Sequence, residues 1–263
     1  MLPVAAPFHQ LAATIAGLPP SISARDAIQA VSAAGYQAIS LDAAHPELRP
    51  RHLDRSARRD LAGLLRRLEL KLETIDLWIN PDDFNNPARS DRALAAAIDA
   101  IAFAAELTPL VDPSTPVLAM TLPNTDARAE LLAAAAAVGV FIADFAPRSP
   151  ETIADMPDSS PHMLGIDPAA HFLRGGTMSS LESLIFSAKD RIANARLTDA
   201  ANAARVLPSN GSLDPLRYAI ALHTSAHVGR LTVDTRGLPD PIAALSTIAT
   251  NLQDNHAPST IHP

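Results

Sequence analysis

The chain of 263 residues contains no cysteine, so disulfides, thiolate metal sites and cysteine nucleophiles are all excluded. Aromatic residues are scarce at 4%, with a single tryptophan. Lys and Arg number 21 against 28 Asp and Glu, for a formal charge of −7 and a pI near 5.7. A basic face for nucleic acid is therefore not expected. No Lys or Arg precedes Arg25, so the start does not read as a secretory signal. The longest apolar run, Leu131 to Ala143, is too short to cross a bilayer and contains Gly139. The expected location is the cytoplasm, with no nucleic-acid or membrane partner. No G-x-G-x-x-G or G-x-x-x-x-G-K phosphate loop is present. What the chain does have is 48% hydrophobic residues, enough for a large core and too many for a disordered chain.

Strand and helix patterns alternate eight times. The strand candidates are HQLAATIAG, YQAISLD, LKLETIDLWI, VLAMTLP, GVFIADF, HMLGID, IANARLTD and RLTVDTRG. Helix starts are marked by Ser23 with Asp26, by Ser90, by Asn124 or Thr125, and by the Asp214-Pro215 and Asp240-Pro241 pairs. Gly35 stops the first helix. A weak short helix is expected in PETIADM and another near SLESLIFSAKD. Repeated strand–helix units imply a parallel sheet, and eight imply closure into a single (β/α)8 TIM barrel, because closure removes the sheet edges. An open doubly wound sheet is the alternative; the missing phosphate loop weighs against it. The barrel is expected over residues 1–254, with 255–263 as a flexible tail.

Within the strands the large aliphatics share one parity and the polar residues the other. Ile39 and Leu41 oppose Ser40 and Asp42; Ile75 and Leu77 oppose Asp76 and Trp78; Leu231 and Val233 oppose Thr232 and Asp234. The polar parity is expected to face the lumen, with its charged members at the C-terminal mouth where barrel active sites lie. The set is Asp42, Asp76, Asp144, Asp167, Arg196, Asp234 and Arg236, a formal −3 in one concave space. Crowded carboxylates need a cation, shared protons or salt bridges. The fifth strand is ambiguous, since Asp144 shares parity with Val140 and Ile142.

Plainer roles stand beside these. Asp42 and Asp234 are equally readable as turn or helix caps, Asp76 as a deep partner of an arginine, and Asp167-Pro168 as a turn opener. Arg196 is either a salt-bridge partner or an anion clamp. Trp78 reads as packing or as a stacking surface for a sugar ring. His171, four residues after Asp167, lies within reach of the mouth; His45 is a weaker candidate, and His256 and His262 read as solvated.

The order of motifs resembles the xylose isomerase-like barrel superfamily, which includes sugar-phosphate isomerases and epimerases and the endonuclease IV type of repair enzyme. AAGYQAISLD is similar to its second strand, GIDPAAHFLRGG to its sixth, and RLTVDTRG to its closing strand. The stretch ARLTDAANAARVLPSNGSLDP matches its seventh unit through Asp199, Gly211 and Asp214. The resemblance implies isomerisation or epimerisation of a sugar or sugar phosphate, a small-molecule carbohydrate. It puts Asp144 and Asp234 as the bases; Asp42, Trp78, Arg196, Arg236 and Asp199 are the expected substrate-binding residues. It implies one divalent cation (Mn, Mg or Zn) on Asp167 and His171, or none, because Arg196 stands at the usual His ligand position and a guanidinium cannot ligate a metal. A degenerate barrel that binds a polyol or acid without turnover is the alternative. A repair nuclease fits poorly with an acidic chain. A homo-oligomer is expected.

Overall fold

The computed structural model describes residues 11–154, 161–227 and 229–254. Its elements in chain order begin β1 (Leu11–Thr14), α1 (Ala24–Ala33), β2 (Ala38–Asp42), α2 (Arg55–Arg67), β3 (Lys71–Asp76) and α3 (Ser90–Val111). They continue with β4 (Val117–Met120), α4 (Ala127–Val138), β5 (Phe141–Asp144), α5 (Pro150–Ala154), β6 (His162–Ile166), α6 (Pro168–Leu173) and α7 (Met178–Ala188). The last elements are β7 (Ile192–Leu197), a hairpin of β8 (Asp199–Ala201) and β9 (Ala204–Val206), α8 (Pro215–Thr224), β10 (Leu231–Val233) and α9 (Pro241–Asp254). Eight parallel strands close in the order β1-β10-β7-β6-β5-β4-β3-β2, a single (β/α)8 barrel. The first and last barrel strands meet with Leu11 opposite Leu231 and Ala13 opposite Val233.

Local chemistry sets most boundaries. Ser23 caps α1 by accepting the Asp26 N–H, and Gly35 follows the helix with φ of 87°. Asp54, Asp214 and Asp240 cap α2, α8 and α9 in the same way. At α4 neither Asn124 nor Thr125 is the cap: Asp126 holds that position and makes no side-chain capping bond. Two pieces of the βα loops escape periodicity. Asp167-Pro168 opens α6 rather than a simple turn, and the β8–β9 hairpin inserts after β7. His9 and Gln10 of the expected first strand, the end of PETIADM and the 255–263 tail lie outside the described residues.

The strand parity resolves as expected for the six strands to which the sequence assigns it. Ile39, Leu41, Ile75, Leu118, Met120, Leu164 and Val233 join one hydrophobic layer with the inner faces of the helices. α3 is long and apolar, with a mean hydropathy of 1.7 over its most apolar window, and lies in this layer through Ala97, Ile101, Phe103, Ala104 and Leu107. Each large aliphatic side chain so buried contributes about 1.5–3 kcal/mol. Thr14, Ser40, Thr74, Asp76, Asn194, Arg196 and Thr232 are fully buried on the other parity, inside the barrel.

At the closing seam, Gly17 lies against the loop that follows β10. A Cβ there would stand 2.6 Å from the Arg236 backbone nitrogen and 2.8 Å from the Thr235 carbonyl carbon. Backbone atoms cannot swing aside as a flexible side chain can. We expect Gly17→Ala to destabilise the fold by about 1–3 kcal/mol, read as a lower urea midpoint; an unchanged midpoint would show that the seam separates freely.

Candidate functional site

An ion pair crosses the interior just below the strand ends. Arg196 of β7 donates from Nη2 to Asp76 Oδ1 at 2.7 Å, and both side chains are 0% exposed. Asp76 also accepts from Thr14 Oγ1 at 2.6 Å and Thr74 Oγ1 at 2.7 Å, and Thr74 Oγ1 reaches Ser40 Oγ at 2.7 Å. These contacts satisfy the carboxylate, as a buried charge requires. Trp78 and Phe145 cover the guanidinium, with ring centroids 5.6 and 5.3 Å from Arg196 Cζ. The two rings meet edge to face at 5.2 Å. Phe145 fits here because residue 165 is glycine; a Cβ would lie 2.3 Å from its ring.

Above this layer, Asp234 holds Arg236 in a forked pair, with Nε within 3.0 Å of both carboxylate oxygens. Burial alone would raise the Asp234 pKa, but the charge and hydrogen bonds of Arg236 and the charges of Arg196 and Arg205 together outweigh it and hold the carboxyl well below the ordinary range. Arg236 Cζ lies 3.7 Å from the Trp78 ring centroid, so the one indole has both arginines against it. Asp167 accepts from Thr198 Oγ1 at 2.7 Å, from the Ala170 N–H at 3.2 Å and from Arg205 on the β8–β9 hairpin. Asp42 differs from the other three acids. Its side chain accepts the Ala44 N–H at 2.9 Å, and among the described residues no ion pair reaches it. Burial raises its pKa, and the neighbouring Asp76 charge pushes the same way.

Asp144 corrects the expected set. It pairs in register with Met120 and Leu164, on the helix-facing side of the sheet, whereas Phe145 takes the lumenal place at the end of β5. Asp144 is fully buried, accepting from Arg148 at 2.5 Å, His162 Nε2 at 3.0 Å and the Leu122 and Ala146 N–H groups at 3.0 and 2.9 Å; Arg128 lies 3.6 Å away. Burial would raise its pKa, but the His162 bond, the backbone N–H groups and Arg148 together hold it low. Asp144 and Asp234 therefore do not face one another across the mouth. The mouth holds four carboxylates (Asp42, Asp76, Asp167 and Asp234) and three guanidiniums (Arg196, Arg205 and Arg236), not the formal −3 expected.

Asp199 does not reach the mouth either. It is fully buried and accepts the N–H groups of Ala200, Gly211 and Leu213 at 2.7, 2.8 and 2.9 Å, fastening the loop after the hairpin. His171 faces a small cleft beside β6, where its Nε2 lies 2.7 Å from Ser180 Oγ. Burial and the Arg174 charge lower its pKa. His45 is buried with Nε2 3.0 Å from the Ile22 carbonyl. Arg205 and Phe145 were not among the expected site residues. Neither strand periodicity nor helix signals mark them, because one comes from an inserted hairpin and the other from the residue just past a strand.

The donor set does not fit a divalent ion. Both oxygens of Asp167 and of Asp234 face guanidinium or N–H groups, and Arg196 brings a fixed positive charge between them. Among the described residues no three His, Asp or Glu side chains gather as a metal site.

Two predictions test this charge arrangement. Asp144→Ala leaves Arg128 and Arg148 without their shared counter-ion and is expected to cost about 3 kcal/mol in urea unfolding, without altering ligand binding at the mouth. The depressed pKa values of Asp144 and Asp234 contribute stability that is complete above the ordinary carboxylate pKa of 3.8. It is lost as pH falls through their lower folded-state values. Urea midpoints measured between about pH 5 and pH 2 should fall more steeply for the native chain than for Asp144→Asn.

No protein-family model matches the chain, and no curated protein matches it in sequence. Its structure is similar to that of a xylose isomerase domain protein from Planctomyces limnophilus, at TM-score 0.71 and 14% identity, covering 94% of this chain and 96% of that one. It is similar to a probable 3-DHS dehydratase, AsbF, from Bacillus anthracis, at TM-score 0.69 and 10% identity, over 93% and 98% of the two chains. It is also similar to the IOLI protein, solved with a bound zinc atom, at TM-score 0.66 and 15% identity, over 94% and 97%. With closed eightfold topology and near-complete coverage of each chain, the protein has the fold of the xylose isomerase-like TIM barrels.

Proposed function

We propose that the chain binds a small polyhydroxylated ligand of the carbohydrate class at the barrel mouth and moves a proton next to its carbonyl group, an isomerase or epimerase type of reaction. The observation that carries this reading is Asp42. Of the four mouth acids it alone has no ion pair among the described residues, and burial raises its pKa, the direction a general base needs. Asp234 is a poor base by the same reasoning, since Arg236 stabilises its ionised form. It serves instead to position Arg236.

In this reading Asp42 removes a proton from the carbon beside the carbonyl and returns it to that carbon or its neighbour. Negative charge that develops on the ene-diolate oxygens meets the guanidiniums of Arg236 and Arg205. The fold shared with sugar isomerase-like and epimerase-like barrels supports the ligand class. A second reading, binding without turnover, is favoured by the locking of three mouth carboxylates in ion pairs.

Solvent deuterium incorporation separates the two. With a panel of ketoses, aldoses and their phosphates in D2O, exchange beside the carbonyl is expected, unaffected by EDTA and reduced at least about a hundredfold in Asp42→Asn. Its rate should rise with pH through a pKa above the ordinary 3.8, because the ionised form of Asp42 is the base. Ligand-induced thermal stabilisation with no exchange would favour binding alone.

A further inference from the structure

The hydrogen-bonding groups at the mouth do not balance. The carboxylate oxygens of Asp76, Asp167 and Asp234 are all engaged by donors within the protein. On the donor side, Trp78 Nε1, Arg196 Nε and Nη1, and Arg205 Nη1 are buried with no partner among the described residues. The Trp78 and Phe145 rings lie against Arg196 but offer no lone pair. Of the orphan atoms nearby that can accept, Asn194 Oδ1 lies one step deeper on β7, where its amide nitrogen donates to Thr232 at 3.1 Å, and the Tyr218 and Thr235 hydroxyls each bring a donor with their acceptor. Each buried donor left without an acceptor costs about 1–3 kcal/mol. Four of them, from two guanidiniums and an indole, call for a ligand rich in acceptors and negatively charged. A neutral sugar hydroxyl brings a donor with every acceptor and serves this surplus poorly.

We infer that the mouth takes an anionic oxygen group of its ligand, a carboxylate or a phosphate, against Arg205, Trp78 Nε1 and the partnerless edge of Arg196, and that Arg236 shifts off the indole face to admit it while its guanidinium stays over the reacting oxygens. Arg236 is the outermost member of the stack. Its side chain is 23% exposed where that of Arg196 is 0% exposed, and its Cζ lies 3.7 Å from the indole centroid. Arg205 joins the β6 and β10 ends of the mouth, pairing with Asp167 while its aliphatic stem lies near Gly237. The inference deepens the reading above and rests on the mouth being the ligand site.

The chain has one tryptophan, so its emission reports this place alone. At constant ionic strength, titration with sodium D-gluconate or inorganic phosphate is expected to shift the Trp78 emission saturably, and D-glucose is expected to leave it unchanged. The anion that responds identifies the source, carboxylate or phosphate. Arg205→Gln should weaken the response about tenfold or more, whereas Arg55→Gln on α2 should not. Asp42→Asn should retain the response, so failure of the exchange assay and failure of anion binding are separable. A response to D-glucose equal to that for gluconate, an unaltered titration in Arg205→Gln, or silence toward both anions in protein with a native thermal melt would each overturn the inference.

Discussion

The Arg196–Asp76 pair is the constraint around which the barrel interior is arranged. A guanidinium and a carboxylate cannot leave water without matched partners, since the desolvation penalty is several kcal/mol per ion. The barrel meets that requirement from three strands: hydroxyls of Thr14 and Thr74 complete the carboxylate, and Ser40 completes Thr74. The rings of Trp78 and Phe145 then roof the guanidinium. The small residue at position 165 follows from the same pair, because the Phe145 ring needs that space. A lumen that could have been filled by aliphatic layers is instead a polar, interlocked one.

The consequence for chemistry is a site whose positive charge is covalently part of the chain. A divalent ion would polarise ligand oxygens from a point and depend on its donors being free. Here the donors are spent on arginines, and planar guanidiniums present N–H groups in fixed directions. Three acids serve mainly to hold three bases in place, which leaves Asp42 chemically distinct among its neighbours. The Asp144 cluster on the other side of the sheet solves a different problem, binding α4, the loop after β5 and the start of β6 around one carboxylate.

The eight-unit rhythm, the Ser23, Asp214 and Asp240 caps and the lumenal parity of six strands were legible in the sequence because each depends on residues close together in the chain. Strand β5 was not. Val140, Ile142 and Ala143 are all apolar, so alternation assigns no face to Asp144, and only its register with Met120 and Leu164 does. Arg205 was invisible for a related reason: a three-residue strand in an inserted hairpin carries no periodic signal, and its partner Asp167 is 38 residues away. That Asp76 would meet an arginine could be anticipated from charge alone. That the arginine would be Arg196, 120 residues on, could not.

The close approach of Gly17 to the backbone of Thr235 and Arg236 ties the beginning of the barrel to its end. Arg236 sits where it does only because β10 has docked beside β1. A chain without β10 therefore has neither a closed sheet nor a finished mouth. Completion of the mouth thus rests on a pairing between strands from opposite ends of the described chain, a non-local contact of the kind that is costly to form early.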